Sequence, residues 1–201
     1  MVFQDFVPRL KDHLLARIQN IRLAAEDLDF SEAERDQLVI DNDILYEHAT
    51  AQFNYTTYDA RREYDIIKPK SDKSDIIVTS GEEDVAHHPF WYARVLGVYH
   101  AKVSYAPTGA TRSRVDFLHI RWLGLDPEWN GGQDNRRMHR IGFVPFEGDA
   151  EGPAFGFIDP ATVIRACHLI PAFTEEKTTA LLPPSKFRDA AGEYVNYFVN
   201  Q

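Results

Sequence analysis

Apolar and polar residues alternate most regularly across residues 89–124, and this stretch predicts the centre of the fold. Two strand-like runs, 91–105 and 115–123, flank a turn-rich gap at 106–113. In the first run Trp91, Ala93, Val95, Gly97 and Tyr99 share one parity, and Tyr92, Arg94, Leu96, Val98 and His100 share the other. One set is almost purely apolar and the other mixed, the pattern of a strand buried on one face and partly covered on the other. In the second run Leu118, Ile120 and Trp122 alternate with Phe117, His119 and Arg121. Such β-branched and aromatic residues suit a pleated, half-buried surface. The two runs predict the central hairpin of a small, curved antiparallel sheet.

Upstream, Leu10, Leu14, Ile18, Ile21, Ala25 and Leu28 recur at spacings of three and four, which predicts an amphipathic helix over 8–28 with Pro8 in its first turn. That helix docks either on the body of the protein or on a neighbouring chain. Ser31 followed by Glu34 has the form of a capping box and predicts a short helix to about Leu38. Residues 39–50 fit a strand or a short helix. Residues 53–58 are β-prone, and 59–64 are expected to turn helical. A polar loop at 68–75, a short buried strand at 76–78 and an acidic turn at 80–84 lead into the central hairpin.

Beyond it, 126–135 is a loop by its Pro, Gly-Gly and clustered Asn and Asp residues, with Trp129 inside it. Residues 136–146 predict a strand and 148–153 an acidic loop. Residues 155–160 are extended, 161–164 make a helical turn, and 167–170 form a last core strand. The segment 174–189 is polar and broken by Pro183 and Pro184, and 194–199 is a final β-prone run.

Composition narrows the functional classes. The 201 residues are 44% hydrophobic and 12% aromatic, enough for a core built on large side chains. The net charge of −9 argues against a protein whose main business is the phosphate backbone, because that affinity comes from Lys and Arg displacing counterions. It leaves room for a basic protein partner such as a histone tail. The single cysteine, Cys167, cannot staple a fold or hold a structural zinc alone, and points to a reducing compartment, nuclear or cytoplasmic. The first 18 residues carry charges throughout, unlike a signal peptide or a membrane span.

Catalytic signatures are sparse. The eight histidines form no His-x-x-x-His or Cys/His spacing. His87 and His88 with Asp84 make a loose metal set at best, and His119 and His168 read as core histidines. Cys167 lies between Arg165 and His168, but within an apolar run that favours a small buried side chain. Asp59, Asp116 and Asp159 show no pairing in the sequence. No catalytic residue, metal ligand or cofactor is assigned. Two binding sets remain. Trp91, Tyr92, Tyr99, Trp122 and Trp129 offer aromatic faces for a ligand, including a methylated ammonium. Arg112, Arg114, Arg136, Arg137 and Arg140 offer contacts to nucleic-acid phosphates.

Two resemblances sharpen the expectation. Phe90–Leu96 read as FWYARVL, Asp116–Trp122 as DFLHIRW and Ile158–Leu169 as IDPATVIRACHL resemble strands of the bromo-adjacent homology (BAH) domain of chromatin proteins, across roughly 88–171. The family's Arg-Pro element after the Trp strand is replaced here by Leu123-Gly124-Leu125-Asp126. Blocks spread along nearly the whole chain, DFVPRLKDHLLAR from Asp5, NYTTYDARR from Asn54, HPFWYAR from His88 and FGFIDP from Phe155, resemble a module found downstream of the transposase region in Plavaka-type mobile elements of mushroom-forming fungi. That resemblance implies a transposon-derived module without a nuclease domain.

The expected fold is therefore α+β, mostly β: a small BAH-like antiparallel barrel at 88–171, an N-terminal helix with irregular packing segments at 1–87, and a polar excursion with a C-terminal edge strand at 172–201. The expected function is a non-catalytic binding module contacting chromatin or protein partners. A nucleic-acid accessory role is the alternative, and an enzyme the weaker one.

Overall fold

A computed structural model describes residues 6–21, 30–79, 90–109, 111–132, 136–145, 154–175, 177–178 and 192–200. The acidic turn at 80–84, the His87–His88 pair and the Pro183–Pro184 break lie outside these residues. At the centre, β5 (Phe90–Tyr105) and β6 (Ser113–Leu125) pair antiparallel over most of their length. Their register contains one extra residue: Val95 lies opposite Ile120 and Gly97 opposite His119, so Leu96 has no counterpart. A bulge of this kind reverses the face that every later side chain takes. Ala93 and Val95 before it therefore share a face with Val98 and His100 after it, while Tyr99, Ala101 and Val103 turn to the opposite side.

Each central strand carries two shorter neighbours on its outer side. β1 (Leu38–His48) pairs with the distal half of β5, and β4 (Asp75–Thr79) with its start. β7 (Arg140–Phe143) and β8 (Phe155–Ile158) divide β6 in the same way. β9 (Val163–Ala166) adds beyond β4, β13 (Asn196–Asn200) beyond β7, and β10 (His168–Pro171) beyond β13. The result is a nine-stranded antiparallel sheet, so the protein is mostly β as expected.

The ladder is open, not the closed barrel the sequence suggested: β9 and β10 sit at its two ends and do not pair with each other. They are nonetheless consecutive in the chain. Cys167 joins them, and its N–H donates to the Asp75 carbonyl at 2.9 Å. The sheet thus curls until one run of chain supplies both margins. The C-terminal run is not an edge strand either. β13 lies between β7 and β10, because Tyr197 and Val199 are buried with Ile141, Phe143 and Leu169 and need cover on both sides. β1 and β4 from 1–87 and β13 from 172–201 belong to the same sheet as the strands of 88–171.

α1 (Phe6–Ile18) lies across one face of this sheet, burying Leu10, Leu14 and Leu15 against Val103, Val115 and Phe117. It ends ten residues before the apolar stripe does. Asn20 takes a left-handed φ of 53°, Ile21 N–H reaches the Ala16 carbonyl and Asn20 N–H the Arg17 carbonyl, which is a Schellman stop. The predicted capping box forms: Ser31 and Glu34 bond reciprocally at the start of α2 (Glu32–Asp36). Arg35 of this short helix forks onto Asp12 of α1, both contacts at 2.7 Å. Replacing Ser31 by alanine is expected to lower stability by about 1 kcal/mol, read as a reduced urea midpoint with an unchanged m-value.

Residues 59–64 do not turn helical. Thr57 to Arg61 make a tight turn, with Ala60 at φ 62°, that joins β2 (Ala51–Thr56) to β3 (Arg62–Ile67). This hairpin is a separate two-stranded sheet laid over the second face of the main one, where Phe53 and Ile67 pack with Val95, Val98, Leu118 and Ile120. The strand expected at 136–146 shrinks to β7, since Arg136 takes a left-handed φ of 50° and Arg137 only bridges back to Gly132. β11 (Lys177–Thr178) and β12 (Glu193–Tyr194) form a small outlying pair. Among the described residues no helix is long and apolar enough to cross a membrane.

Candidate functional site

The β2–β3 hairpin covers only part of the face on which it lies. Beyond its edge, three strands bring polar side chains together. Cross-strand pairing sets His100 of β5 opposite both Tyr46 of β1 and Asp116 of β6. His48 follows Tyr46 by two residues and so shares its face. The Nε2 of His48 and Nδ1 of His100 lie 2.7 Å apart, a hydrogen bond between two imidazoles. The Tyr46 ring stacks on His100 with centroids 4.6 Å apart and planes 7° from parallel, which fixes the imidazole's orientation. His100 is 8% exposed, whereas the Asp116 side chain is 49% exposed and accepts from Arg114 at 2.6 Å. Loss of hydration, with the nearby Arg114 cation and His48, lowers the His100 pKa, and Asp116 opposes this.

A groove of about 340 Å³ opens beside this cluster. Its floor is apolar, formed by Phe53, Val98 and Leu118, and its rim carries His48, Gln52, Arg114 and Asp116. The bulge at Leu96 is what places Val98 in the floor and His100 behind it, on the same face.

No protein-family model, curated protein or solved structure matches this chain. What the site does must therefore be read from its own geometry.

The five aromatic residues singled out from the sequence do not converge. Trp91 and Trp122 do meet edge to face, 5.5 Å apart and half-buried, packed against the core on the face that carries the β2–β3 hairpin. Tyr92 is 2% exposed inside the opposite core and presents no ring face to a ligand. Tyr99 stacks on Phe117 at the edge of the core under α1 and is the one member of the set that also lines the groove. Trp129 folds back from its loop, donating to the Met138 carbonyl at 3.0 Å, packing on Phe198, and lying beneath the Arg137 and Arg140 guanidinium groups.

The arginines also divide. Arg112 and Arg114 lie at the start of β6, while Arg136, Arg137 and Arg140 lie around β7. Among the described residues, three of the five have carboxylate partners: Arg112 binds Asp41, Arg114 binds Asp116, and Arg140 binds both Asp126 and Glu175. The carboxylates that looked unpaired in the sequence are paired as well, Asp59 with Arg61 and Asp159 with Arg17. His168 is exposed, not a core residue, because Leu169 takes the inward position in β10. Cys167 is 7% exposed, and burial pushes its thiol up to about 12, so it is an inert core side chain.

The His48–His100–Asp116 cluster was not legible in the sequence. Its members are 52 and 16 residues apart, and only the strand register and the bulge bring them together.

Proposed function

We propose that this chain is a non-catalytic binding module that holds a segment of a protein partner in the groove beside His48 and Asp116. The observation that carries this reading is the groove's anatomy: an apolar floor bounded by a polar rim, the arrangement by which surfaces gain contact area from the floor and orientation from the rim. The net charge of −9 favours a cationic segment, of which a histone tail is the natural chromatin example. The resemblance to BAH domains and to a Plavaka-associated module points the same way; its first two BAH-like segments are the paired strands β5 and β6, and its third runs along β9 and β10 at the ends of the sheet. On this reading the protein is a transposon-derived module acting on chromatin, in the nucleus.

The test uses the full chain with labelled basic peptides, methylated and unmethylated histone-tail sequences among them, and with duplex DNA at two salt concentrations. Peptide binding is expected, and Gln52→Trp, which fills the groove from an exposed position, is expected to weaken it about tenfold or more while leaving the circular dichroism spectrum unchanged. Absence of peptide binding overturns the reading. So does peptide binding indifferent to Gln52→Trp, or DNA binding that dominates and falls steeply with salt.

A further inference from the structure

We propose that His48, His100 and Asp116 form a binding site for a divalent transition metal ion of the zinc type. Each offers one ligand atom, and the three atoms all lie within 4.8 Å of one another. Two imidazole nitrogens and one carboxylate oxygen form a ligand set that suits zinc and its neighbours better than magnesium or calcium, which take oxygen ligands.

The geometry needs little change to accept the ion. The His48 and His100 nitrogens are 2.7 Å apart. Two imidazoles on one tetrahedral zinc, each about 2.0–2.1 Å from it, place their nitrogens roughly 3.3 Å apart. The rings must therefore open by only about 0.6 Å, a small rotation for the half-buried His48. In the metal-free pair one nitrogen carries the shared proton. On binding, that proton moves to the other nitrogen of the same ring through solvent, and both facing lone pairs turn to the metal. Neither imidazole loses a proton overall. Asp116 must leave Arg114, but this pair is half-exposed on both sides, where ion pairs contribute little.

The surroundings support the ligands as supporting groups do in metal sites. Tyr46 stacked on His100 holds one ring in place, with Lys102 Nζ lying over the far face of that tyrosine at 5.5 Å. The ion would tie β1 to β5 and β6 just past the irregular stretch of β1, where Asn42 and Asp43 take left-handed φ values of 53° and 54°. The three protein ligands leave one position for water at the groove's mouth. The inference stands apart from peptide recognition, because it is read with the metal alone.

The experiment treats the full chain with chelator, removes the chelator, and titrates it with Zn²⁺ by calorimetry and with Co²⁺ by visible absorption. One ion per chain is expected, with a tetrahedral Co²⁺ spectrum and a melting temperature that rises with metal concentration. His48→Ala and Asp116→Asn, both at accessible positions, are each expected to weaken Zn²⁺ binding at least about tenfold, since even outer-shell partners of a metal act on this scale. His100→Ala is expected to abolish it. Arg114→Ala should preserve or tighten binding by freeing Asp116, and His168→Ala, at an exposed position elsewhere, should leave it unchanged. No saturable uptake by the unaltered chain overturns the proposal, as does uptake that His48→Ala and Asp116→Asn leave intact.

Discussion

Lowering the pH from 7 to 4.5 is expected to destabilise the folded protein by about 2–3 kcal/mol through His13 alone. His13 lies on the buried face of α1, 5% exposed, among the rings of Phe117 and Phe157, and its Nε2 has no hydrogen-bond partner among the described residues. Burial, with a smaller contribution from the Arg17 cation one turn on, lowers its pKa to about 3. The unfolded chain takes up a proton there below about pH 6.5, and the folded one does not. The unfolded state therefore binds more protons across the window from 6.5 down to 3, and stability rises with pH through that window. The slope is about 1.4 kcal/mol per pH unit, full stability being present above the unfolded value.

The measurement is urea unfolding of the parent and His13→Leu proteins at several pH values. The variant removes one protonation site and one unpartnered polar atom, so at neutral pH it should match or slightly exceed the parent. The difference between the two proteins should then grow in the variant's favour as the pH falls. Parallel pH profiles would show that His13 is not neutral in the fold.

How much of this was readable in advance depends on how far local pattern governs local structure. The two central strands, the capping box and the mostly-β character follow from alternation and side-chain chemistry within a few residues. The stop of α1 did not, because the apolar stripe continues past Asn20 while the backbone turns left-handed there. The face assignment along β5 failed beyond one point. Strict parity puts Tyr99 with Ala93 and Val95, but the extra residue at Leu96 exchanges Tyr99 for His100 on that face. No composition rule announces a bulge in a run as uniformly β-prone as this one. The His48–His100–Asp116 cluster depends on that bulge and on the β1–β5 register together, so it was two non-local facts away from the sequence. The position of β13 was hidden for a related reason: a strand at the end of a chain looks like an edge until its partners are known.

Removing Arg94 should cost about 3–5 kcal/mol, because Asp75 would be left as a buried charge without its counterion. The two residues face each other across β4 and β5. Arg94 Nε donates to Asp75 Oδ1 at 2.7 Å and Nη2 to Oδ2 at 3.2 Å, and Nη1 reaches Glu193 at 2.9 Å. The guanidinium lies between the rings of Phe143 and Tyr197, 5.1 and 5.3 Å from their centroids, and the Tyr197 hydroxyl donates to the same Glu193. Side-chain exposure is 15% for Arg94 and 7% for Asp75. Burial alone drives the Asp75 carboxyl above its ordinary value, and Arg94 opposes this, while the carboxylates hold the arginine more firmly protonated than usual. The bidentate contact with the guanidinium favours the ionised form of Asp75 against its burial.

The same Asp75 supplies the carbonyl that receives Cys167 N–H where β9 passes into β10. The ion pair therefore sits at the point where the curled sheet returns to its own beginning. Arg94→Met is expected to lose most of that 3–5 kcal/mol and Asp75→Leu less, since Arg94 keeps Glu193, but the double variant should lose much less than their sum. Removing both charges also removes both desolvation penalties, and Glu193, at 23% exposure, retains water and Tyr197. A double-mutant cycle by urea denaturation at pH 7 measures the coupling. Losses that simply add would mean that the two charges act separately, and that the return of β9 and β10 rests on the surrounding apolar residues alone.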